Sequence, residues 1–232
     1  MACWIWPKAL SKASRRSNRR CFRWIFANVS AKLLVSTSNP GKLREYVRLA
    51  SAIGAIELEP LPGFASLPSF EENAPTFAEN AAGKAIHYGQ FAHDMVLAED
   101  SGLVVPALGG APGPRSARYG GPEATDADRV NKILEELGGR PGSERVARFV
   151  AVIALARDGE TVALFSDFVE GTLTDGPRGN SGFGYDPIFL FEPLGKTFAE
   201  LTMEEKNRYS HRSRAFAKAA AFLNSRQSGL LI

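Results

Sequence analysis

Between residues 32 and 223 the spacing of apolar positions switches repeatedly between the short runs of buried strands and the three-to-four-residue stripes of helices. Lys32-Leu33-Leu34-Val35-Ser36 predicts a buried strand. It feeds through Thr37, Ser38, Asn39, Pro40, Gly41 and Lys42 into an amphipathic helix ending near Gly54, with Asn39 suited to the N-cap and Pro40 to the first helical position. Thr76 and Glu79 form a capping box for a second helix. One face of that helix carries Asn80 and Lys84, and another carries Ala78, Ala81, Ala82, Ala85 and Ile86, small enough to lie close on a sheet. Val96-Leu97-Ala98 predicts a short strand. A third helix starts near Thr125 and stops at Gly138, and its Val130, Ile133, Leu134 and Leu137 stripe reads as core. Arg148 to Leu155 and Thr161 to Val169 predict two strands joined at Asp158-Gly159, a strong hairpin signal. Thr202 with Glu205, and then Ser210, begin two further helices, which puts His211 and Arg212 in a first turn. Strands alternating with helices predict an α/β fold.

Composition narrows the class. The chain has 232 residues, 44% of them hydrophobic and 23% charged, enough for one or two cores. No apolar run reaches the roughly 20 residues that cross a bilayer, so no membrane partner is expected. The only cysteines, Cys3 and Cys21, form neither a disulfide framework nor a metal-ligand spacing, which suits a reducing compartment such as the cytoplasm. Charge is unevenly placed: residues 1–31 hold seven Lys/Arg and no acid, leaving 21 basic against 25 acidic side chains downstream. The basic stretch lacks the apolar segment of a secretory signal and is read as a disordered extension, leaving open a transit peptide, a nucleic-acid or membrane-surface arm, or an upstream start. A domain spans 32–226, followed by a short tail at 227–232.

Five segments carry chemistry. Asn39 to Lys42 places a lysine at a helix N-terminus, an anion site of phosphate size but not a P-loop, whose spacing is absent. Glu71 and Glu72 precede the second helix on a loop facing a cleft. Glu99 and Asp100, directly after an apolar strand, need a cationic partner or a metal, and hard carboxylate oxygens suit Mg²⁺. In Gly182-Phe183-Gly184-Tyr185-Asp186-Pro187, two glycines let the backbone approach a ligand and Phe183 offers a flat face for a base. Lys206, His211 and Arg212, within seven positions, form a cluster able to read a small polar ligand.

Together, the Thr37–Lys42, Glu71–Lys84, Glu99–Leu103, Ser116–Tyr119, Gly182–Pro187 and Glu205–Arg212 segments closely resemble the inosine/xanthosine triphosphate pyrophosphatases, in order, from about Lys32 to Leu223. The resemblance implies an elongated mixed sheet flanked by helices, two lobes with an active-site cleft between them, and a homodimer needing no nucleic acid. It implies Mg²⁺-dependent hydrolysis of non-canonical purine nucleoside triphosphates to the monophosphate and pyrophosphate. Asp100 would accept a proton and hold the metal with Glu71 and Glu99. Thr37, Ser38, Asn39, Pro40, Gly41, Lys42 and Lys84 would hold phosphates, and Ser101 would touch substrate. Phe183, Gly184, Tyr185, Asp186, Lys206, His211 and Arg212 would receive the base.

The chain departs from the family pattern at Ala74, Glu99 and Arg115, which bears on loop geometry rather than reaction class. Two other readings fit the residues: a pyrophosphatase for other modified nucleotides, and a non-catalytic nucleotide or RNA binder using the basic arm. The carboxylates at Glu71 and Asp100 oppose the second, because they repel phosphate unless a metal intervenes.

Overall fold

The computed structural model describes residues 31–227, so the predicted N-terminal extension and C-terminal tail lie, but for Ala31 and Gln227, outside the described residues. The fold centres on one seven-stranded mixed sheet: β1 (Ala31–Val35), β2 (Ile56–Pro60), β3 (Met95–Val104), β4 (Val146–Arg157), β5 (Glu160–Leu173), β6 (Phe189–Phe191) and β7 (Lys196–Thr197). Its order is β2-β1-β3-β4-β5-β6-β7, with β1 parallel to both neighbours and the pairs beyond β3 antiparallel.

The helices begin where the sequence places caps. Asn39 accepts the Lys42 N–H at 3.0 Å and opens α1 (Pro40–Ile53), which Gly54 ends in the left-handed conformation. Thr76 accepts the Glu79 N–H to open α2 (Phe77–Gly89), and Thr125 with Asp128 closes a full capping box on α3 (Asp126–Leu137). Thr202 with Glu205 does the same for α4 (Met203–Tyr209), and Ser210 accepts the Ser213 N–H at the head of α5 (His211–Gln227). The hairpin turn at Asp158-Gly159 has φ of 53° and 75°, the primed turn that matches strand twist.

One expectation about the sheet needs correcting. β3 does not end at Ala98 but runs through the chemical motif to Val104, paired with β4 along its length. The Glu99 and Asp100 side chains therefore point to opposite faces of the sheet. Leu97, two residues before Glu99, packs in the core beneath α1 and α5, with Tyr46 and Phe216. Ala98, two residues before Asp100, packs beneath α2 with Ala81 and Ala85. The far half of the β4–β5 hairpin joins a separate core with α3 stripe residues Val130, Ile133 and Leu137 and with Phe189 and Phe198. A cleft lies between these bodies.

Candidate active site

The cleft encloses about 750 Å³, within the range of small-ligand sites, and meets the N-terminus of α1, the loop before α2, β3, the 182–186 loop and the starts of α3 and α5. Residues Ser36 to Lys42 line one end. Thr37 Oγ1 accepts the Asn39 N–H at 3.1 Å, so side chains hold this turn in place before any ligand arrives. Lys42 reaches across to Glu99 Oε1 at 3.3 Å.

The acid group beside it is built on α2. Lys84 donates to the Glu99 carbonyl at 3.1 Å and pairs with Glu72, both lining the cleft. Four residues earlier, Asn80 donates to Asp100 Oδ2 at 3.0 Å, while the Ser101 N–H goes to Asp100 Oδ1 at 2.9 Å. Asp100 is 3% exposed. Burial pushes its carboxyl up to about 6, and the Glu72 charge pushes the same way against Lys42, Lys84 and Asn80. The acid that stands beside Asp100 here is Glu72, while Glu71 is exposed and its carboxylate accepts from the Asn73 side-chain amide at 2.9 Å.

Glu99 belongs elsewhere. Arg212 grips it with two bonds, Nε to Oε2 at 2.7 Å and Nη2 to Oε1 at 2.8 Å, and the Tyr46 hydroxyl donates to it as well. Arg212 also meets Glu45, while Lys206 lies 2.9 Å from Glu45 and 2.5 Å from Asp186. Three carboxylates (Glu45, Glu99, Asp186) and three cations (Lys42, Lys206, Arg212) thus form one buried, charge-balanced network. Burial alone would raise both glutamates, but Arg212 with Lys206 holds Glu45 at about 2, and Arg212 with Lys42 holds Glu99 well below the usual range. On the face of β3 opposite Asp100, both Glu99 oxygens are taken up by Arg212, Tyr46 and Lys42.

The residues expected to receive the base all line the cleft: Phe183, Gly184, Tyr185, Asp186, Lys206, His211 and Arg212. His211 is buried, stacked on Phe149 at 4.9 Å and 12°, and burial with the Arg212 charge lowers its pKa well below the usual value. It is therefore neutral at pH 7, not one more cationic donor, and its Nδ1 has no partner among the described residues. Tyr185 and Asp186 are buried supports: the Tyr185 hydroxyl donates to the Ser116 carbonyl at 2.8 Å, and Asp186 accepts the Phe183 N–H at 2.9 Å. Phe183 and Gly184 line the cleft. The Phe183 ring lies 4.9 Å from the Lys206 ammonium and 5.5 Å from the Arg212 guanidinium, close enough to α1 that only glycine fits at Gly41. Ser101 also lines the cleft, with Arg212 Nη2 3.3 Å from its hydroxyl.

Glu45 and the loop contacts of α3 carry roles that the sequence did not announce. Glu45 was findable: it falls on the buried face of α1 with Gly41, Tyr46 and Leu49, where an acid requires a partner.

The Ham1 family model matches residues 33–222. The chain is 44% identical over 187 residues to the dITP/XTP pyrophosphatase of Geobacillus kaustophilus, covering 81% of this chain and 91% of that protein. It is 47% identical over 184 residues to a dITP/XTP pyrophosphatase of Thermus thermophilus, covering 79% and 87%. Among solved structures, a HAM1 protein from Coxiella burnetii matches with a TM-score of 0.75 at 40% identity, over 84% of this chain and 99% of that one.

Proposed function

Because this chain belongs to the Ham1 family, we propose that it hydrolyses non-canonical purine nucleoside triphosphates such as ITP, dITP and XTP to the monophosphate and pyrophosphate. One observation of the site carries the reading: Asp100, raised to about 6, and Glu72, paired with Lys84, stand beside a helix N-terminus and two lysines, next to a separate ion network under an aromatic ring.

The α1 N-terminus, Lys42 and Lys84 receive the triphosphate, whose charge they offset. Phe183 stacks on the base. Lys206 and Arg212 line the cleft and carry donors but no acceptor, so any N–H not taken up by Glu45, Glu99 or Asp186 favours the 6-oxo group of hypoxanthine and xanthine over the 6-amino group of adenine. Asp100 accepts a proton from the attacking water: a carboxyl poised near 6 takes a proton more readily than an ordinary aspartate and is ionised at pH 7. Asn80 and the Ser101 amide fix its orientation.

The carboxylate pair also fits a divalent cation. Asp100 and Glu72 repel each other, and Mg²⁺ takes one or two carboxylates while water and substrate phosphate fill its remaining positions. When bound, Mg²⁺ supplies Lewis acidity and counter-charge for the pyrophosphate leaving group.

A homodimer is part of this reading, supported by Leu164 and Phe168, 45% and 48% exposed on one face of β5; light scattering that returns a monomer would remove it. No helix among the described residues is long and apolar enough to cross a membrane, which accords with a cytoplasmic enzyme. The deciding experiment is pyrophosphate release from ITP, dITP, XTP, GTP and ATP with and without Mg²⁺. Release from ITP and XTP far above ATP, dependent on Mg²⁺, is expected; equal rates on ATP, or orthophosphate as the first product, would refute the assignment.

A further inference from the structure

Helix α3 does more than supply its core stripe. Asp126 stands at its first position, next to a Thr125–Asp128 capping box that is complete without it. Both Asp126 oxygens are engaged elsewhere. Oδ2 accepts the Gly184 N–H at 2.7 Å, from 58 residues away in the chain, and Oδ1 accepts Arg129 Nη1 at 2.6 Å. Gly184 follows Phe183 directly and has φ of 62°, a conformation that a side chain would strain. The preceding amide, that of Phe183, is held by Asp186. Two carboxylates, Asp186 from the loop itself and Asp126 from α3, thus hold consecutive amides of the loop that carries the aromatic ring. Asp126 and Arg129 both line the cleft, and Arg129 Nε is buried with no partner among the described residues.

We propose that Asp126 is a positioning residue for base recognition: it holds the Gly184 amide, this sets the angle of the Phe183 ring, and Arg129 fixes the carboxylate that does so. The inference rests on the reading that Phe183 stacks on the base. Without Asp126, Asp186 alone would hold only one side of the loop, and base affinity would fall. The α1 N-terminus, Lys42 and Lys84, which receive phosphate in that reading, stand outside this loop, so phosphate affinity should not move with it.

The test compares two products in the folded enzyme with Mg²⁺, IMP carrying a base and pyrophosphate carrying none, by titration calorimetry. Asp126→Ala should raise Kd for IMP about tenfold, the scale of one charge-assisted hydrogen bond at a partly exposed site, and leave Kd for pyrophosphate unchanged. KM for ITP should rise by a similar factor with kcat within about twofold. Asp126→Asn keeps an acceptor for Gly184 and should recover most of the IMP affinity. Arg129→Gln, which frees the Asp126 side chain, should move the ratio of the two constants in the same direction by a smaller factor, and serves if Asp126→Ala does not fold. Asp128→Ala, which breaks the helix cap, should lower Tm without changing that ratio. An unchanged ratio in both Asp126→Ala and Arg129→Gln, or equal weakening of IMP and pyrophosphate, would overturn the inference. Binding needs no turnover, so a wild-type enzyme inactive on ITP would refute the proposed function separately from this result.

Discussion

The ion network around Glu99 and the acid pair around Asp100 start from adjacent residues on one strand, and their carboxyls are driven in opposite directions. Glu99 is held well below the ordinary range by Arg212 and Lys42 despite its burial; Asp100 is lifted to about 6 by burial and by Glu72. Both lie within the protein, so depth does not separate them. What differs is the charge each face of β3 presents. On the α1–α5 face, three carboxylates meet three cations and little charge is left over. On the α2 face, Asp100 has a like charge for a neighbour, and its nearest hydrogen-bond donor among the side chains is the neutral Asn80. The balanced side is suited to holding shape under a flat ligand. The unbalanced side stores repulsion that a cation or a proton relieves, which is where hydrolytic chemistry belongs.

The largest effect should come from breaking the balanced side. Arg212 is 1% exposed and joins Glu45 to Glu99. Arg212→Met removes one cation and leaves both carboxylates without their main counter-charge, a change that costs about 3–5 kcal/mol when a buried partner is lost. Urea unfolding should show that loss, or soluble protein should fail to accumulate. A variant within about 1 kcal/mol of wild type would mean that the network is not what holds α1, α4 and α5 together.

The unbalanced side should answer in rate instead. Asp100→Asn preserves shape and removes the proton acceptor, so kcat on ITP should fall by at least ~10²-fold, as for loss of a general base. Near-normal turnover by a folded Asp100→Asn enzyme would move the chemistry to Glu72.

Much of this contrast was legible in the sequence, and its limits are specific. Asn39, Thr76, Thr125, Thr202 and Ser210 mark helix starts because capping is a local matter of one side chain and an amide two or three residues on. The collinear motifs name the site residues because chemistry restricts residue type. What failed was assigning a face. Acids beyond a strand end would sit together, whereas a strand continuing to Val104 turns Glu99 and Asp100 to opposite faces by its alternation. Glu71 and Glu72 sit on an irregular loop, where no period says which one turns inward. The carboxylates satisfying Lys206 and Arg212 come from Glu45, Glu99 and Asp186, far apart in the chain, and only tertiary packing brings them together.

The same Asp100→Asn variant sharpens the comparison through stability. Because the folded-state pKa of Asp100, about 6, lies above the ordinary 3.8, the native protein binds this proton more tightly than the unfolded chain does. Stability therefore falls as pH rises from about 4 to 6, and the deficit stays constant above that. Asn carries no charge to penalise. The variant should be more stable than wild type at pH 8, by at most about 3 kcal/mol, with the gain shrinking to near zero at pH 4. Thermal melts across that range check it, and a gain that grows toward low pH would mean that Asp100 is stabilised in its charged form, as Glu99 is.

The smallest effect discriminates most finely, because it separates two adjacent glutamates of identical chemistry. Glu72 lines the cleft, pairs with Lys84 and raises Asp100, while Glu71 faces solvent and contacts Asn73. Glu72→Gln should take away the like charge, so Asp100 ionises at lower pH and the acid limb of the kcat/KM profile shifts downward. Losing one of two carboxylates from the proposed cation site should also raise the Mg²⁺ concentration for half-maximal activity several-fold. Glu71→Gln should leave both quantities unchanged and alter stability by no more than ~0.5 kcal/mol, as for an ordinary surface position. Mg²⁺ titrations of activity at several pH values, run on the two variants side by side, give both readouts. If Glu71→Gln raises the Mg²⁺ requirement and Glu72→Gln does not, the loop before α2 turns its other glutamate inward when substrate binds, and the repulsion that lifts Asp100 in the free protein is not the one that operates in catalysis.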